Sequence, residues 1–391
     1  MTYYSDSTQY EGCVIEQQDN VEIKEGAVDY SSTQITGFDY VHHYVGNARH
    51  SAHFYASLFG FQIVGYLGPE TGVRDRVSYL LQQNDLVFLI TAGLHPGHPI
   101  QDWVVKHGDG IGEISVRVKN PELAMAFAIQ NGASAVSQPV KITDEQGVFE
   151  RSTIGIYGDT TLSFINREGY KGILPGYQPY EGPQFARNQC GLRAVDHIVG
   201  NVAEGDMNYW ASFFEKSMDL ETFVHFDKGD ISTQFSALVS KVVRSKNSSV
   251  KFPINEPAEG LKKSQIEEYL EVNRGAGVQH VAIATDNILE TIKCLRANGV
   301  EFIKTPETYY KVIAERAKVM DEKLEDIQEL NILFDDEGDG YLLQLFTQPM
   351  ADRPTLFFEF IKRKGSEGFG QNNFQSLFES IEREQGKRGN L

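Results

Sequence analysis

The chain has 391 residues, 36 Lys+Arg against 54 Asp+Glu for a net charge of −18, and 41% hydrophobic residues. At about 150 residues per domain this length suggests two domains or three, each with enough apolar residues for a core. The acidic balance weighs against a nucleic-acid binder or an anionic-membrane binder, because both need a positive footprint. An acidic protein that handles an anionic substrate must carry a local positive charge, such as a bound metal. No apolar run approaches the eighteen or so residues of a membrane span, and the densest, Leu86 to Ile90, is strand-sized. Met1-Thr-Tyr-Tyr-Ser5 has neither the basic nor the apolar region of a leader. Cys13, Cys190 and Cys294 are odd in number, far apart and without CxxC spacing. They argue against a disulfide framework and a cysteine zinc site, and suit a reducing, cytoplasmic location.

Residues 1–35 are polar and aperiodic and read as a loose N-terminal arm. The first half, 36–168, opens with a strand-like alternation at Val41-His-His-Tyr-Val-Gly-Asn47. It runs into a helix with Ala52, Tyr55, Ala56 and Phe59 on one face, the stripe of a helix packed on a sheet. His95-Pro-Gly-His98 has turn chemistry and predicts a solvated loop. A block from Gly108-Asp-Gly-Ile111 reads strand, helix, turn at Asn131-Gly132, strand, and Thr161-Leu-Ser-Phe-Ile165 is a late apolar strand. Residues 169–190, rich in Gly and Pro, read as a linker.

The second half, 191–364, repeats this order. Val195-Asp-His-Ile-Val-Gly-Asn201 leads into a helix with Met207, Trp210, Ala211 and Phe214 on one face. Gly275-Ala-Gly-Val278, Asn298-Gly299 and Pro306 each lie 167 residues after Gly108-Asp-Gly-Ile111, Asn131-Gly132 and Pro139. Leu356-Phe-Phe-Glu-Phe-Ile361 mirrors the late strand. Residues 365–391 form a Gly-rich hinge and a helix with Phe374, Leu377, Phe378 and Ile381 in a stripe, which Asn372 or Asn373 can cap. The expected architecture is α+β, two tandem domains of repeated βαβ-type units with additional strands, closed by a C-terminal lid helix.

Polar residues where a core strand should be apolar point to the chemistry. Glu359 shares a strand face with Phe357 and Ile361, while Phe358 and Phe360 take the other, so both faces look buried. A buried carboxylate must be protonated, paired with a cation or bound to metal. His197 and His280 each lie within an apolar strand, where a satisfied core histidine is the plain reading. If the strands curl into one open barrel, however, all three face one cavity. Two imidazoles and a carboxylate make the facial triad of non-haem Fe(II) oxygenases, whose three open positions suit a chelating 2-oxo acid and O2. Zinc with three ligands keeps one open position and suits hydrolysis. In the first half the aligned positions are His43, Glu113 and Ser163, so metal binding is expected in the second half only. The histidines around His42, His50, His53, His95, His98 and His107 read as a solvated cluster, not a second site.

At these residues the sequence resembles the 4-hydroxyphenylpyruvate dioxygenase family, of the vicinal-oxygen-chelate fold, from about residue 36 to the C-terminus. The motifs that carry it include Val195 to Asn201, Pro253-Ile-Asn-Glu-Pro257, Lys263-Ser-Gln265 and Gly275 to His280. They continue through Tyr341 to Thr347, Arg353-Pro-Thr-Leu-Phe-Phe-Glu359, Gly368-Phe-Gly370, Asn373-Phe374 and Arg388-Gly-Asn-Leu391. The resemblance implies two tandem oxygen-chelate domains of βαβββ units and one Fe(II) per chain on His197, His280 and Glu359. It implies conversion of 4-hydroxyphenylpyruvate and O2 to homogentisate and CO2 in tyrosine and phenylalanine catabolism, by a homo-oligomer (dimer or tetramer). Polar pocket roles carry over to Ser236, Asn255, Gln265, Gln279 and Gln344, and aromatic or lid roles to Phe346, Phe357, Phe369, Asn373 and Phe374. Uncharged Ser, Asn and Gln suit a phenol, and Phe walls exclude water from a reactive oxidant. For Gln279, next to His280 on an extended strand, alternation equally predicts a solvent-facing side chain. Asn372 stands where the family usually has Gly and reads as a cap variant.

Three other readings remain. A 4-hydroxymandelate synthase would share substrate and triad but oxidise the benzylic carbon; Asn255 and Phe374 favour ring hydroxylation. An extradiol ring-cleaving dioxygenase would not need the hinge and terminal helix. A metal-free binding protein on the same scaffold would have no use for all three triad residues.

Overall fold

The computed structural model describes residues 14–17, 33–186, 188–227, 237–337 and 340–389. The first half contains β1 (Val14–Gln17), β2 (Gly37–Tyr44), α1 (Ala48–Phe59), β3 (Gln62–Leu67), β4 (Arg76–Gln83), β5 (Leu86–Gly93) and α2 (Pro99–His107). It continues with β6 (Gly110–Arg117), α3 (Pro121–Gln130), β7 (Ala135–Asp144), β8 (Gly147–Gly155), β9 (Thr161–Asn166) and the short β10 (Gln178–Pro179). The second half contains β11 (Leu192–Asn201), α4 (Met207–Met218), β12 (Glu221–Phe226), β13 (Ala237–Arg244), β14 (Lys251–Ala258), α5 (Gln265–Asn273) and β15 (Gly277–Thr285). After α6 (Ile288–Ala297) come α7 (Glu307–Ile313), α8 (Leu324–Glu329), β16 (Leu333–Glu337), β17 (Gly340–Phe346), β18 (Phe357–Lys364) and α9 (Phe374–Lys387).

Each half is one sheet, and the two sheets share a strand order. The first runs β1-β7-β8-β9-β6-β2-β5-β4-β3-β10 and the second, read in the same sense, β16-β17-β18-β15-β11-β14-β13-β12. The central crossings agree in direction: β2 and β6 are antiparallel, as are β11 and β15, while β6–β9 and β15–β18 are parallel. Local chemistry fixes the helix ends. Asn47, Asn120 and Asn287 each accept a backbone N–H three residues on, capping α1, α3 and α6. Gly132 and Gly299, the turn glycines of the two repeats, both hold positive φ, 99° and 101°, which favours glycine.

A single apolar core runs through both halves. Phe358 and Phe360, on one face of β18, pack against Phe59 of α1, with ring centroids 5.0 and 5.6 Å apart. The opposite face, with Phe357 and Glu359, is left for a cavity inside the second sheet.

Three expectations need correction. The N-terminal arm is not wholly loose: Val14–Gln17 adds an antiparallel strand to β7, as suits its β-branched Val14-Ile15 pair. The linker is pinned as well, since Gln178 and Pro179 pair with Tyr66 and Gly65. Cys190 and Cys294 form a disulfide. Sequence spacing could not show this, because the fold lays the end of the linker along α6 across 104 residues of chain.

Candidate metal centre and pocket

β11, β15 and β18 lie side by side, and each brings one ligand-type residue to the same cavity. Ligand atoms of His197, His280 and Glu359 all lie within 4.8 Å of one another, and all three residues are buried. Among the described residues this is the one such group. The Nε2 atoms of His197 and His280 face Glu359 Oε2 at 3.2 and 3.4 Å. Their Nδ1 atoms are engaged elsewhere, His197 with Asp196 Oδ1 at 2.7 Å and His280 with Gln279 Oε1 at 3.0 Å. This fixes each ring so that Nε2 points inward.

Burial pushes the Glu359 carboxyl up, but the two imidazoles outweigh it and bring it down to about 2. His197 is raised because Glu359 and Asp196 together overcome its burial. His280 has no acid on its far side, so burial wins and lowers it. Glu359 Oε1, fully enclosed, has no hydrogen-bond partner. An orphaned buried carboxylate oxygen is costly, and two inward imidazole nitrogens beside it complete a donor set for a cation with open positions. The residues present fit a metal.

The first half supplies a control. The strand registers place Phe38 opposite Val116 and Val195 opposite Ile283, each followed by a bulge. Tyr40 therefore occupies the position of His197, and the sequence match to His43 is a misalignment. His43 sits in the core between the halves, where burial and the adjacent His42 hold it down at about 3. Glu113 and Ser163 do stand at the His280 and Glu359 positions, by the parallel pairing of β6 with β9. Here Tyr40, Arg151 and Ser163 all donate to Glu113 Oε1, at 2.8, 2.8 and 2.6 Å. Arg151 takes the register position of Gln344. A guanidinium thus supplies the positive charge that the other half leaves to a metal.

Around the triad is a cavity. Asn255 of β14, Gln265 at the start of α5, Gln279, Phe346, Phe357 and Phe369 all line it. Gln279 faces inward, and the alternation argument fails for a physical reason: Val199 pairs with His280 but Gly200 with Val278. Gln279 is the extra residue of a bulge, and a bulge turns two neighbours to one side. Phe357 stacks on His280 at 4.7 Å, and Phe369 meets the edge of His197 at 5.2 Å.

Other residues lie elsewhere. Gln344 is buried against Gly370 and is not among the lining residues. Asn373 is a lid anchor, its Oδ1 accepting from Tyr309 Oη at 2.6 Å. Neither asparagine caps α9 with its side chain; Asn372 donates to Asp335 Oδ1 instead, at 2.5 Å. Ser236 and the side chain of Phe374 fall outside the described residues.

Sequence reasoning missed Ser240, which pairs with Asn255 across β13 and β14 and lines the same wall. Its signal was present, a polar residue between Leu238 and Val242 in an apolar strand. Phe378 and Ile381 of α9 close the cavity, so this part of the terminal helix packs on the site itself.

The Glyoxalase/Bleomycin resistance protein/Dioxygenase superfamily model matches residues 194–345. Among curated proteins, the 4-hydroxyphenylpyruvate dioxygenase of Yarrowia lipolytica is 44% identical, covering 91% of this chain and 93% of that one. That of Dictyostelium discoideum is 41% identical, over 91% and 100%. A solved structure of a triple mutant of 4-hydroxymandelate synthase from Streptomyces coelicolor superposes with a TM-score of 0.79 at 28% identity, over 90% of this chain and 99% of that one.

Proposed function

Because the chain belongs to the 4-hydroxyphenylpyruvate dioxygenase family, we propose that its cavity converts 4-hydroxyphenylpyruvate and O2 to homogentisate and CO2, with His197, His280 and Glu359 holding one Fe(II). The observation that carries this reading is the enclosed His, His, Glu group with an orphaned carboxylate oxygen, facing a mostly apolar cavity. Ferrous iron there would bring the 2-oxo acid and O2 together and activate O2, with the substrate supplying the electrons for its reduction.

The chain's own residues do the rest. Gln279 and Asp196 hold the two imidazoles in one tautomer and orientation. Phe346 and Phe357 flank the substrate ring and fix its plane. Asn255, Ser240 and Gln265 offer uncharged hydrogen-bond partners to the phenol without taking its proton. Phe369, Phe378 and Ile381 cover the cavity and keep water from the reactive stage. The proposal extends to a homo-oligomer, dimer or tetramer, acting in the cytoplasm. No helix among the described residues is long and apolar enough to cross a membrane.

The structural likeness to a 4-hydroxymandelate synthase makes the product the discriminating quantity. Chromatography of the products from 4-hydroxyphenylpyruvate should show homogentisate with equimolar O2 uptake. 4-Hydroxymandelate as the main product would overturn the ring-hydroxylation reading, and O2 uptake with a catechol alone would overturn the substrate class.

A further inference from the structure

At the C-terminal end of β18 the Arg363 guanidinium does two things at once. Its Nε and Nη2 form a two-pronged pair with Asp196, 2.8 Å to Oδ2 and 2.9 Å to Oδ1. Asp196 Oδ1 in turn holds His197 Nδ1. The remaining prong, Nη1, donates to the backbone carbonyls of Ser366 and Gly368, inside the Gly-rich hinge that leads to α9. Phe369, the next residue, lies under the same guanidinium at 5.5 Å and against His197. Glu367 is tied separately, to Arg244 of β13.

The first half holds the corresponding pair without an imidazole on it. Asp39 and Arg167 stand at the register positions of Asp196 and Arg363, and they too are paired, at 2.8 and 3.1 Å. There a second guanidinium, Arg117, also binds Asp39, and no imidazole does. The residue at the Arg117 position in the second half is Ala284, by the pairing of β15 with β18. In the second half His197 Nδ1 takes the place of that second cation on Asp196, with Lys251 Nζ 3.9 Å from the same Oδ1. A structural ion pair common to both halves has become an orienting device in one of them.

We infer that Arg363 is a positioning residue that couples the lid hinge to the metal centre through Asp196 and His197. The inference rests on the proposed metal site and adds a consequence to it. One planar fork serves both partners, so a hinge that swings away withdraws a prong and loosens the hold on Asp196. Linkage then runs both ways: a metal that fixes His197 steadies the hinge.

The test uses Co(II) as the probe with the full chain, following its visible absorption for affinity and amide hydrogen exchange for residues 366–370. In the wild-type protein, Co(II) should bind one per chain and slow exchange in the hinge. Arg363→Met should weaken Co(II) binding about 10–100-fold, the usual effect of losing a partner that orients a ligand. At saturating Co(II) its hinge should exchange at the metal-free rate. Arg363→Lys, a point charge that reaches Asp196 but cannot fork, should restore most of the affinity and none of the hinge response. If Arg363→Met unfolds, Asp196→Asn cuts the same chain and should show the same paired loss. Wild-type affinity in Arg363→Met, or hinge exchange indifferent to Co(II) in the wild type, would overturn the coupling. Failure of the wild type to bind Co(II) would instead remove the metal site, and the coupling with it.

Discussion

At the scale of single residues, the site depends on where polar atoms are spent. Gln279 illustrates this. It could be a solvent-facing strand residue, yet a bulge turns it inward and its amide oxygen holds His280 Nδ1. Gln279→Ala should therefore weaken Fe(II) or Co(II) binding about 10–100-fold with little loss of fold stability, measured by anaerobic metal titration beside thermal unfolding. Unchanged affinity would show that the His280 ring is held by packing on Phe357 alone. The three ligands were legible in the sequence because each breaks an apolar strand, and burying such a group demands a partner. Asp196 and Arg363 were not, since a single acid or base on a strand looks like an ordinary solvated residue. Their burial and pairing depend on strands far apart in the chain.

At the scale of elements, the C-terminal helix is a wall of the cavity, with Phe378 and Ile381 on its inner face. The triad, by contrast, is complete at Glu359. Truncation after Gly370 should abolish turnover while leaving one metal per chain with affinity within a few-fold of the intact protein. Parallel loss of metal would show that the helix supports the triad directly. The hinge has its own constraint: Gly370 has φ +77°, and a Cβ there would lie 2.2 Å from Gln344 Nε2. Gly370→Ala should be destabilising, about 1–3 kcal/mol by the cost of the strained backbone and the clash, read from denaturant midpoints. The stripe of α9 was readable as a lid from its period. Asn373 does stand at its N-cap position, but without a capping side-chain bond, because an asparagine next to a helix can cap it or bind elsewhere, and Asp335 took Asn372.

At the scale of the whole molecule, the chain is one design used twice, and the two uses differ in how positive charge is supplied. The repeat was plain where turn glycines recur at a constant interval. It slipped by a few residues in the opening strand, where equal spacing hid the differing loop after it, and so His43 was matched in place of Tyr40. In the first half, burial pushes the Glu113 carboxyl up, and Arg151 with its hydrogen-bonding neighbours brings it down to about 2 from an ordinary 4.5. A carboxyl depressed in the folded state stabilises the fold above its ordinary value, and that contribution drains away as the pH falls toward 2. It amounts to about 3 kcal/mol. Wild-type stability should thus decline between about pH 4.5 and 2, and in Glu113→Gln this part of the decline should be missing when urea midpoints are compared across pH. Arg151→Ala, leaving a buried carboxylate unpaired, should cost about 3–5 kcal/mol at neutral pH. The second half carries the same demand for positive charge with no guanidinium to meet it. Anaerobic titration of the Fe(II)-loaded protein with 4-hydroxyphenylpyruvate bears on this most directly. A visible charge-transfer band should grow to one equivalent and be absent from Glu359→Ala. No band in the wild type, or an undiminished one in Glu359→Ala, would mean that these three side chains do not hold the iron to which the 2-oxo acid binds.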